Sequence, residues 1–203
     1  MPTIYGMRDS GNCYKPRLLM AKLGKPFRHV EVNSRDGSTR APEFLAKNPN
    51  GKVPLLELDD GRFVSESNAM LLYLGDGTKF VPADAYERAL VHQWLFFEQY
   101  SHEPYIAVRR SLLVYPERAT QATPERMASL LESGNKALGV MEAQLQKTPF
   151  LAGGALTVAD IALYVYTHEA RMGGFDLARF PAVAAWLKRV EADPGHVPMS
   201  WLP

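Results

Sequence analysis

The sequence predicts an α/β domain that is followed by an all-helical domain. Over the first part of the chain, short strand-like runs alternate with helix-like runs. The pattern lapses over residues 75–82, where glycine and proline interrupt it, and no strand-like alternation returns after them. With 203 residues, of which 46% are hydrophobic, the chain is long enough for two small domains that each bury a core. We expect these domains at residues 1–77 and 84–203.

The first domain is predicted to open as β-α-β-α and to end with a hairpin and a helix. The predicted strands cover residues 3–5, 27–32, 53–58 and 62–64. The predicted helices cover residues 17–23, 42–46 and 68–74. The segment Asp59-Asp60-Gly61 lies between the last two strands and has the composition of a tight hairpin turn. This order predicts one compact α/β unit.

The second domain shows helical spacing of its apolar residues throughout. The predicted helices cover residues 85–113, 124–146, 158–170 and 181–192. Pro104 should kink or interrupt the first of them. The third has the clearest start, because Thr157 as N-cap and Asp160 three residues later form a predicted capping box. Such a start indicates a role in folding rather than in catalysis.

The charge and cysteine content exclude several classes of function. Lys and Arg number 23 and Asp and Glu 22, a formal charge of +1, so no long-range field selects nucleic acid or an anionic membrane. Cys13 is the only cysteine, which excludes an internal disulfide and a Cys-x-x-Cys pair. The histidines lack metal-ligand spacing, and we expect no metal. There is no signal-peptide pattern and no apolar run near the ~20 residues that span a bilayer, so we expect a cytoplasmic protein.

Val53-Pro54 and Glu66-Ser67 are the most informative pair of motifs. A Val-Pro ahead of a strand suits a cis peptide bond, which would turn the backbone N–H and C=O of Val53 outward to pair with an extended peptide ligand. Glu66 and Ser67 stand where a helix should begin, and free N–H groups there favour an anion. Together they would match the ammonium and carboxylate of an α-amino acid head. Taken singly, each motif is also explained by a turn before a strand or by a serine N-cap.

The order and spacing of these motifs resemble the glutathione transferase family. The run Thr157-Val-Ala-Asp160, which follows residues 150–154, resembles the C-terminal domain of the same family. The resemblance implies a thioredoxin-like N-terminal domain, a C-terminal helical bundle and a homodimer. It also implies that the protein adds the thiolate of glutathione, as co-substrate, to hydrophobic electrophiles. Glutathione carries a γ-glutamyl head of the kind that Glu66 and Ser67 would bind.

Ser10 is the predicted donor to the sulfur of glutathione. A thiol with an ordinary pKa of roughly 8.5 to 9 is mostly protonated at neutral pH, so the site has to stabilise the thiolate. Pro16 is tolerated near the first turn of a helix, which places Ser10 just ahead of a helix N-terminus whose positive end also favours an anion. This segment resembles theta-like and tau-like serine transferases and their bacterial relatives. In them the catalytic hydroxyl lies seven residues before the point that corresponds to Arg17, where Ser10 stands.

Asn12 and Cys13 are alternatives for the contact to sulfur. The amide of Asn12 could assist Ser10 or replace it, and Cys13 follows at the same helix start. The other explanation for Ser10 and Asn12 is plain N-capping. For Cys13 it is a small buried side chain. A cysteine at position 10 would have favoured thiol-disulfide chemistry, and the serine there counts against it.

Two basic residues are candidates for the glycine carboxylate of glutathione. Lys52 lies beside Val53, which is expected to clamp the peptide backbone of the ligand, and Arg40 lies on a segment expected to border the site. Basic side chains on loops are usually just solvated, which is the alternative for both. Such contacts would add affinity rather than rate.

The electrophile is expected in a cleft between the two domains, next to the long helical run of the second domain. The candidate residues there are Tyr105, His102 and Arg109. An aromatic stripe at helical spacing is more often core than substrate wall, and a solvent-facing ring is the alternative for His102. Two other functions stay open: a glutathione-dependent disulfide reductase, peroxidase or isomerase, and a non-catalytic binding protein with the same fold.

Overall fold

The computed structural model describes all residues, Met1–Pro203, and consists of two compact units. The first unit comprises Met1–Thr78 and Asp193–Pro203, and the second comprises Lys79–Ala192. The first contains a β-sheet with helices and the second contains helices only, so the predicted fold class is confirmed. None of the helices combines the length and the apolar character needed to cross a membrane.

The first unit has a four-stranded sheet in the order β2-β1-β3-β4. The strands are β1 (Thr3–Gly6), β2 (Arg28–Glu31), β3 (Leu55–Glu57) and β4 (Phe63–Ser65). The helices are α1 (Gly11–Lys22), α2 (Pro42–Leu45) and α3 (Ser67–Gly75). β1 and β2 are parallel and the other two pairs are antiparallel, with Ile4 opposite His29 in β2 and Leu56 in β3. This is the thioredoxin-like arrangement.

Helices α1 and α3 contact each other, and their apolar side chains join those of the sheet in the core of this unit. Fully buried members include Ile4, Leu18, Leu19, Leu55, Leu56, Met70 and Leu71. A buried aliphatic side chain contributes about 1.5–3 kcal/mol of transfer free energy, so this core fixes the two helices firmly. The consequence for function is that the first turns of α1 and α3 are held close together.

Helix α1 begins at Gly11, directly after Ser10, which confirms the predicted place of Ser10 just ahead of a helix N-terminus, although the predicted helical span began only at residue 17. The extended residue Ser10 caps it by accepting a hydrogen bond from the backbone N–H of Cys13 at 3.4 Å. Pro16 lies inside the helix rather than in its first turn. The helical span was predicted to begin too late because α1 is buried on almost every side, including its polar residues, so it shows no amphipathic period.

The C-terminal segment Asp193–Pro203 belongs to the first unit, whereas the sequence assigned it to the helical domain at 84–203. The buried guanidinium of Arg17 donates to the carbonyls of Met199 and Trp201, each at 3.1 Å. The Trp201 ring packs edge-on against Phe27 with 5.9 Å between centroids. Docking through backbone carbonyls leaves no sequence pattern, which explains why this assignment was wrong.

The second unit contains five α-helices and three short 3-10 segments. The helices are α4 (Ala85–Phe97), α5 (Glu103–Val114), α6 (Pro124–Leu145), α7 (Val158–Thr167) and α8 (Pro181–Ala192). The 3-10 segments are Pro116–Gln121, Ala170–Gly173 and Leu177–Arg179. The interruption expected near Pro104 is a π-helical turn, Glu98–His102, and Pro104 then lies in the first turn of α5. Thr123 caps α6, and its hydroxyl accepts from the Arg126 N–H.

The capping box of α7 is present and is buried in the core of this unit. One carboxylate oxygen of Asp160 accepts from the backbone N–H of Thr157 at 2.9 Å. The other accepts from Leu151 N–H and from the indole Nε1–H of Trp186, both at 2.9 Å. Asp160 therefore joins the start of α7 to the preceding loop and to α8, and its role is structural.

Candidate active site

The peptide bond between Val53 and Pro54 is cis, as predicted. Val53 lies two residues before β3 and outside the pairing registers of the sheet, while its side chain packs against Tyr5, Phe44 and Leu55. The side chain thus anchors the residue in the core, and the backbone N–H and C=O are not used by the sheet. This is the arrangement required for pairing with an extended peptide.

Glu66 is the only non-glycine residue with a positive φ, at 67°. It immediately precedes Ser67, the first residue of α3, and its carbonyl accepts the N–H of Met70 at 3.0 Å. Its side chain does not cap the helix, and the residue is exposed. A strained backbone of this kind costs about 1–3 kcal/mol and is typical of ligand sites. The helix is therefore not a plain serine-capped one, and the carboxylate of Glu66 is available to a cationic group.

Four polar side chains from α1 and α3 meet at the start of α3. The Ser67 hydroxyl donates to Asn12 Oδ1 at 3.3 Å. The Lys15 ammonium donates to Ser67 Oγ at 3.2 Å and to Asn68 Oδ1 at 3.1 Å. Ser67 is 6% exposed and Lys15 is 0% exposed. The structure therefore connects Asn12 and Ser67, which the sequence analysis had placed in separate parts of the site.

Lys15 was missed by the sequence analysis. The helical span was predicted only from residue 17, so the helix face that Lys15 shares with Asn12 was not recognised. Once α1 is known to start at Gly11, Lys15 lies one turn after Asn12, and residues three apart share a helix face. The signal that could have found it was already present in the predicted place of Ser10, because a helix that starts directly after Ser10 contains both Asn12 and Lys15.

The Ser10 hydroxyl accepts a hydrogen bond from the N–H of Cys13, which leaves its own proton to donate. Ser10 is partly exposed and lies at the positive end of α1. Cys13 in contrast is fully buried, its Sγ accepts from the Met7 N–H at 3.3 Å, and burial raises the pKa of its thiol to about 11. A side chain without exposed surface cannot contact a bound sulfur, so the structure favours Ser10 and Asn12 over Cys13.

Arg40 and Lys52 both lie next to the loop that precedes Val53. The Arg40 guanidinium donates to the Asn50 carbonyl at 3.2 Å and packs so closely on Gly51 that a Cβ there would lie 2.6 Å from Nη1. The Lys52 carbonyl accepts from the buried side chain of Asn48 at 2.8 Å, while the Lys52 residue as a whole is exposed. The Arg40 guanidinium is thus held at this loop, and the backbone of Lys52 is fixed directly before Val53.

The second unit holds the three residues that were expected to contact the electrophile. His102 is 0% exposed, which corrects the expectation of a solvent-facing ring. Its Nε2 lies 2.8 Å from Thr167 Oγ1, and that hydroxyl donates to the Leu163 carbonyl, so the ring is the donor to Thr167. A buried ring does not reach a substrate. The turn Glu98–His102 packs inside its own unit, which explains the burial.

Arg109 is also engaged within its own unit, because its guanidinium donates to the carbonyls of Met127 and Gly173. Partial burial lowers the pKa of this guanidinium from its ordinary value. These bonds support a structural role. Tyr105 is partly exposed, so it is still a candidate contact to the electrophile.

Comparisons with known proteins agree with this geometry. Residues 2–76 match the N-terminal domain of glutathione S-transferases, and residues 120–189 match their C-terminal domain. The crystal structure of a glutathione S-transferase from Pseudomonas fluorescens is 50% identical and covers 98% of both chains, with a TM-score of 0.94. Glutathione transferase URE2P6 from Phanerochaete chrysosporium, solved with oxidized glutathione, is 29% identical, covers 96% of this chain and 92% of that one, and has a TM-score of 0.85.

A curated relative points to a second activity within the same group of proteins. The disulfide-bond oxidoreductase YfcG of Escherichia coli is 29% identical over 190 residues, which is 90% of this chain and 87% of the relative. The two domain matches and the half-identical crystal structure decide the family. This chain belongs to the glutathione S-transferase family.

Proposed function

We propose that the protein is a glutathione transferase that activates the thiol of glutathione at Ser10 and conjugates it to hydrophobic electrophiles. The observation that carries this assignment is the position of Ser10. Its hydroxyl accepts the N–H of Cys13 and has a proton to donate, at the N-terminus of a twelve-residue helix. A hydrogen-bond donor and a helix dipole therefore both favour a thiolate at this place.

Glutathione would be held by the groups that surround Ser10. Ser67 and the first N–H groups of α3 would bind the γ-glutamyl carboxylate, and Glu66 would bind the γ-glutamyl ammonium. The backbone of Val53 would pair with the cysteinyl residue as a short added strand. Lys52 or Arg40 would meet the glycine carboxylate. The positive φ of Glu66 supports this proposal, because strained residues are retained mainly where a ligand uses them.

The chemistry requires no covalent intermediate on the protein. Ser10, assisted by the Asn12 amide, lowers the pKa of the bound thiol by bonding its anion, and the thiol proton leaves to solvent. The thiolate sulfur then forms a bond to an electrophilic carbon while the leaving group departs with its electron pair. Holding both reactants together supplies the rest of the rate gain. The serine-type subclass, theta-like or tau-like with bacterial relatives, is part of this proposal.

Glutathione-dependent disulfide reduction is the second candidate, because the Escherichia coli relative is named for disulfide chemistry. The buried Cys13 offers no thiol for that reaction. Two glutathione molecules would then supply the electrons, forming glutathione disulfide as the substrate disulfide becomes two thiols. Peroxidase and isomerase activities would use the same thiolate.

One set of assays separates these functions. Titration calorimetry measures glutathione affinity, and absorbance follows conjugation of chlorodinitrobenzene and, separately, reduction of hydroxyethyl disulfide. We expect binding and conjugation. Binding with disulfide reduction and no conjugation would favour the reductase, and binding without either reaction would favour a non-catalytic protein. An absence of binding would contradict all three.

We also propose a cytoplasmic homodimer, with Tyr105 contributing to the electrophile site. The usual assembly of the family supports the dimer, and the free thiol of Cys13 is compatible with a reducing compartment. Size-exclusion chromatography with light scattering measures the assembly. A monomer at micromolar concentration would contradict it.

A further inference from the structure

Lys15 is a lysine without exposed surface in the first half of α1. Lysine is among the residues that are rarest in protein interiors, because removing an ammonium from water is costly unless polar partners replace the water. Here the partners include Ser67 Oγ at 3.2 Å and Asn68 Oδ1 at 3.1 Å. An apolar side chain of the same length would fill this place without that cost. The buried positive charge therefore indicates a functional role.

The hydrogen bonds of Lys15 indicate which role this is. An ammonium can only donate, so Ser67 Oγ and Asn68 Oδ1 are acceptors toward Lys15. The Ser67 hydroxyl consequently keeps its own proton to donate, which in this structure it gives to Asn12 Oδ1 at 3.3 Å, and the Asn68 amide directs its N–H groups away from Lys15. Both acceptors belong to the first two residues of α3. The fixed positive charge lies beneath the helix end whose N–H groups already favour an anion.

We propose that Lys15 is a positioning residue of the glutathione site. Its buried ammonium orients the hydroxyl of Ser67 and the amide of Asn68, and it supplies the positive charge for the γ-glutamyl carboxylate. The inference rests on the proposed glutathione binding at Ser67. It predicts that Lys15 acts on the affinity for glutathione and hardly on the ionisation of the thiol, which is the task of Ser10.

The test combines Lys15→Met with a change in the ligand. Titration calorimetry compares glutathione with γ-aminobutyryl-cysteinyl-glycine, which keeps the ammonium and lacks only the γ-glutamyl carboxylate. We expect the variant to lose about tenfold or more in affinity for glutathione and less than about twofold for the analogue. The kcat of conjugation at saturating glutathione should change by less than about twofold, while KM for glutathione rises.

Lys22→Met is the matched control. Lys22 is on the same helix, its side chain is also fully buried, and it pairs with Asp193 at 2.7 Å rather than with α3. Its replacement should leave the ratio of the two affinities unchanged. Lys15→Gln keeps a donor without the charge, and an affinity between those of wild type and Lys15→Met would separate orientation from charge.

An equal loss for both peptides in Lys15→Met would overturn the inference, because it would show a general structural effect. If the variants fail to fold, NMR of the wild-type protein with isotope-labelled lysine tests whether Lys15 responds to the γ-glutamyl carboxylate. The Lys15 signal should shift with glutathione and stay nearly still with the analogue, and equal shifts would contradict the inference. If the wild type binds no glutathione, the proposed function fails as well. If it binds both peptides equally, the inference and the proposed contact of Ser67 with the carboxylate fail, while glutathione binding itself stands.

Discussion

The hydroxyl of Ser67 lies 3.3 Å from the side-chain oxygen of Asn12, so the first residue of α3 is hydrogen-bonded to the second residue of α1. Ser10, which caps α1, is two residues from Asn12. The proposed groups for thiol activation and for recognition of the amino acid head are therefore parts of one bonded cluster. A change at either helix start should be measurable at the other.

Replacing Glu66 should separate binding from stability. In Glu66→Gly the backbone can adopt the positive φ without strain, so we expect the free energy of unfolding to rise by about 1 kcal/mol. Glutathione affinity should fall by roughly 1 to 3 kcal/mol, because the ligand ammonium loses its carboxylate partner. Urea denaturation and titration calorimetry measure the two effects.

The controls for this prediction are Glu66→Gln and Ser67→Ala. Both should weaken glutathione binding by a similar amount, roughly 1 to 3 kcal/mol, without the gain in stability. Unchanged binding in all three variants would leave Glu66 and Ser67 with a purely structural role.

Cys13 should be unreactive in the folded protein. Its thiol is buried, and burial raises its pKa from 9.0 to about 11, so the thiolate is scarce below that value. Labelling with Ellman's reagent at mildly alkaline pH should be slow for native protein and fast in denaturant. Labelling of the native protein as fast as that of the denatured protein would contradict the buried position.

The same thiol makes stability depend on pH in the alkaline range. The unfolded thiol ionises near 9.0 and the folded one near 11, so the unfolded state releases its proton first. The contribution to stability is complete below pH 9.0 and is lost as pH rises toward about 11. A Cys13→Ala variant should show a smaller decline over this window, and an identical decline would exclude the thiol as its source.

His168 should make stability depend on pH in the acidic range. Its ring stacks on Tyr164 with 4.7 Å between centroids, and burial lowers the pKa of the imidazole from 6.5. The unfolded state therefore binds a proton before the folded state does, and stability is lost as pH falls below about 6.5. Arg110 nearby opposes protonation and Glu191 favours it.

Chemical denaturation of wild type and His168→Gln at several pH values checks this. The difference in unfolding free energy between the two proteins should shrink as pH falls from neutral toward about 5. Comparing the two proteins cancels the titration of other groups, including Asp160, whose pKa burial raises. A difference that stays constant with pH would contradict the prediction.

The parts of the molecule that were predicted from sequence depend on short-range chemistry. The cis bond at Val53-Pro54 and the capping box of Thr157 and Asp160 are each decided by residues within a few positions. The alternation of strands and helices likewise follows from local periodicity, which is why the α/β unit and the helical unit were both predicted.

The parts that were missed depend on contacts between distant segments. The burial of α1 on nearly all sides removed its amphipathic period, so the predicted helical span began too late and the role of Lys15 was not recognised. The docking of the C-terminal segment on Arg17 uses backbone carbonyls, which any residue can supply. His102 is buried by the packing of a π-helical turn, and no local pattern distinguishes that turn from a kink at Pro104.

The proposed function depends on the Ser10 hydroxyl, which should stabilise the thiolate of bound glutathione. Ultraviolet titration of the bound thiolate in wild type, Ser10→Ala and Asn12→Ala measures this directly. In Ser10→Ala we expect a higher pKa of the bound thiol. The activation free energy should rise by about 2 to 4 kcal/mol, which lowers turnover by roughly 30-fold to 1000-fold, with a much smaller loss of glutathione affinity. Asn12→Ala should have a smaller effect on the thiol pKa. If Ser10→Ala titrates like wild type while Asn12→Ala does not, the contact to sulfur belongs to Asn12 and the assignment of Ser10 is contradicted.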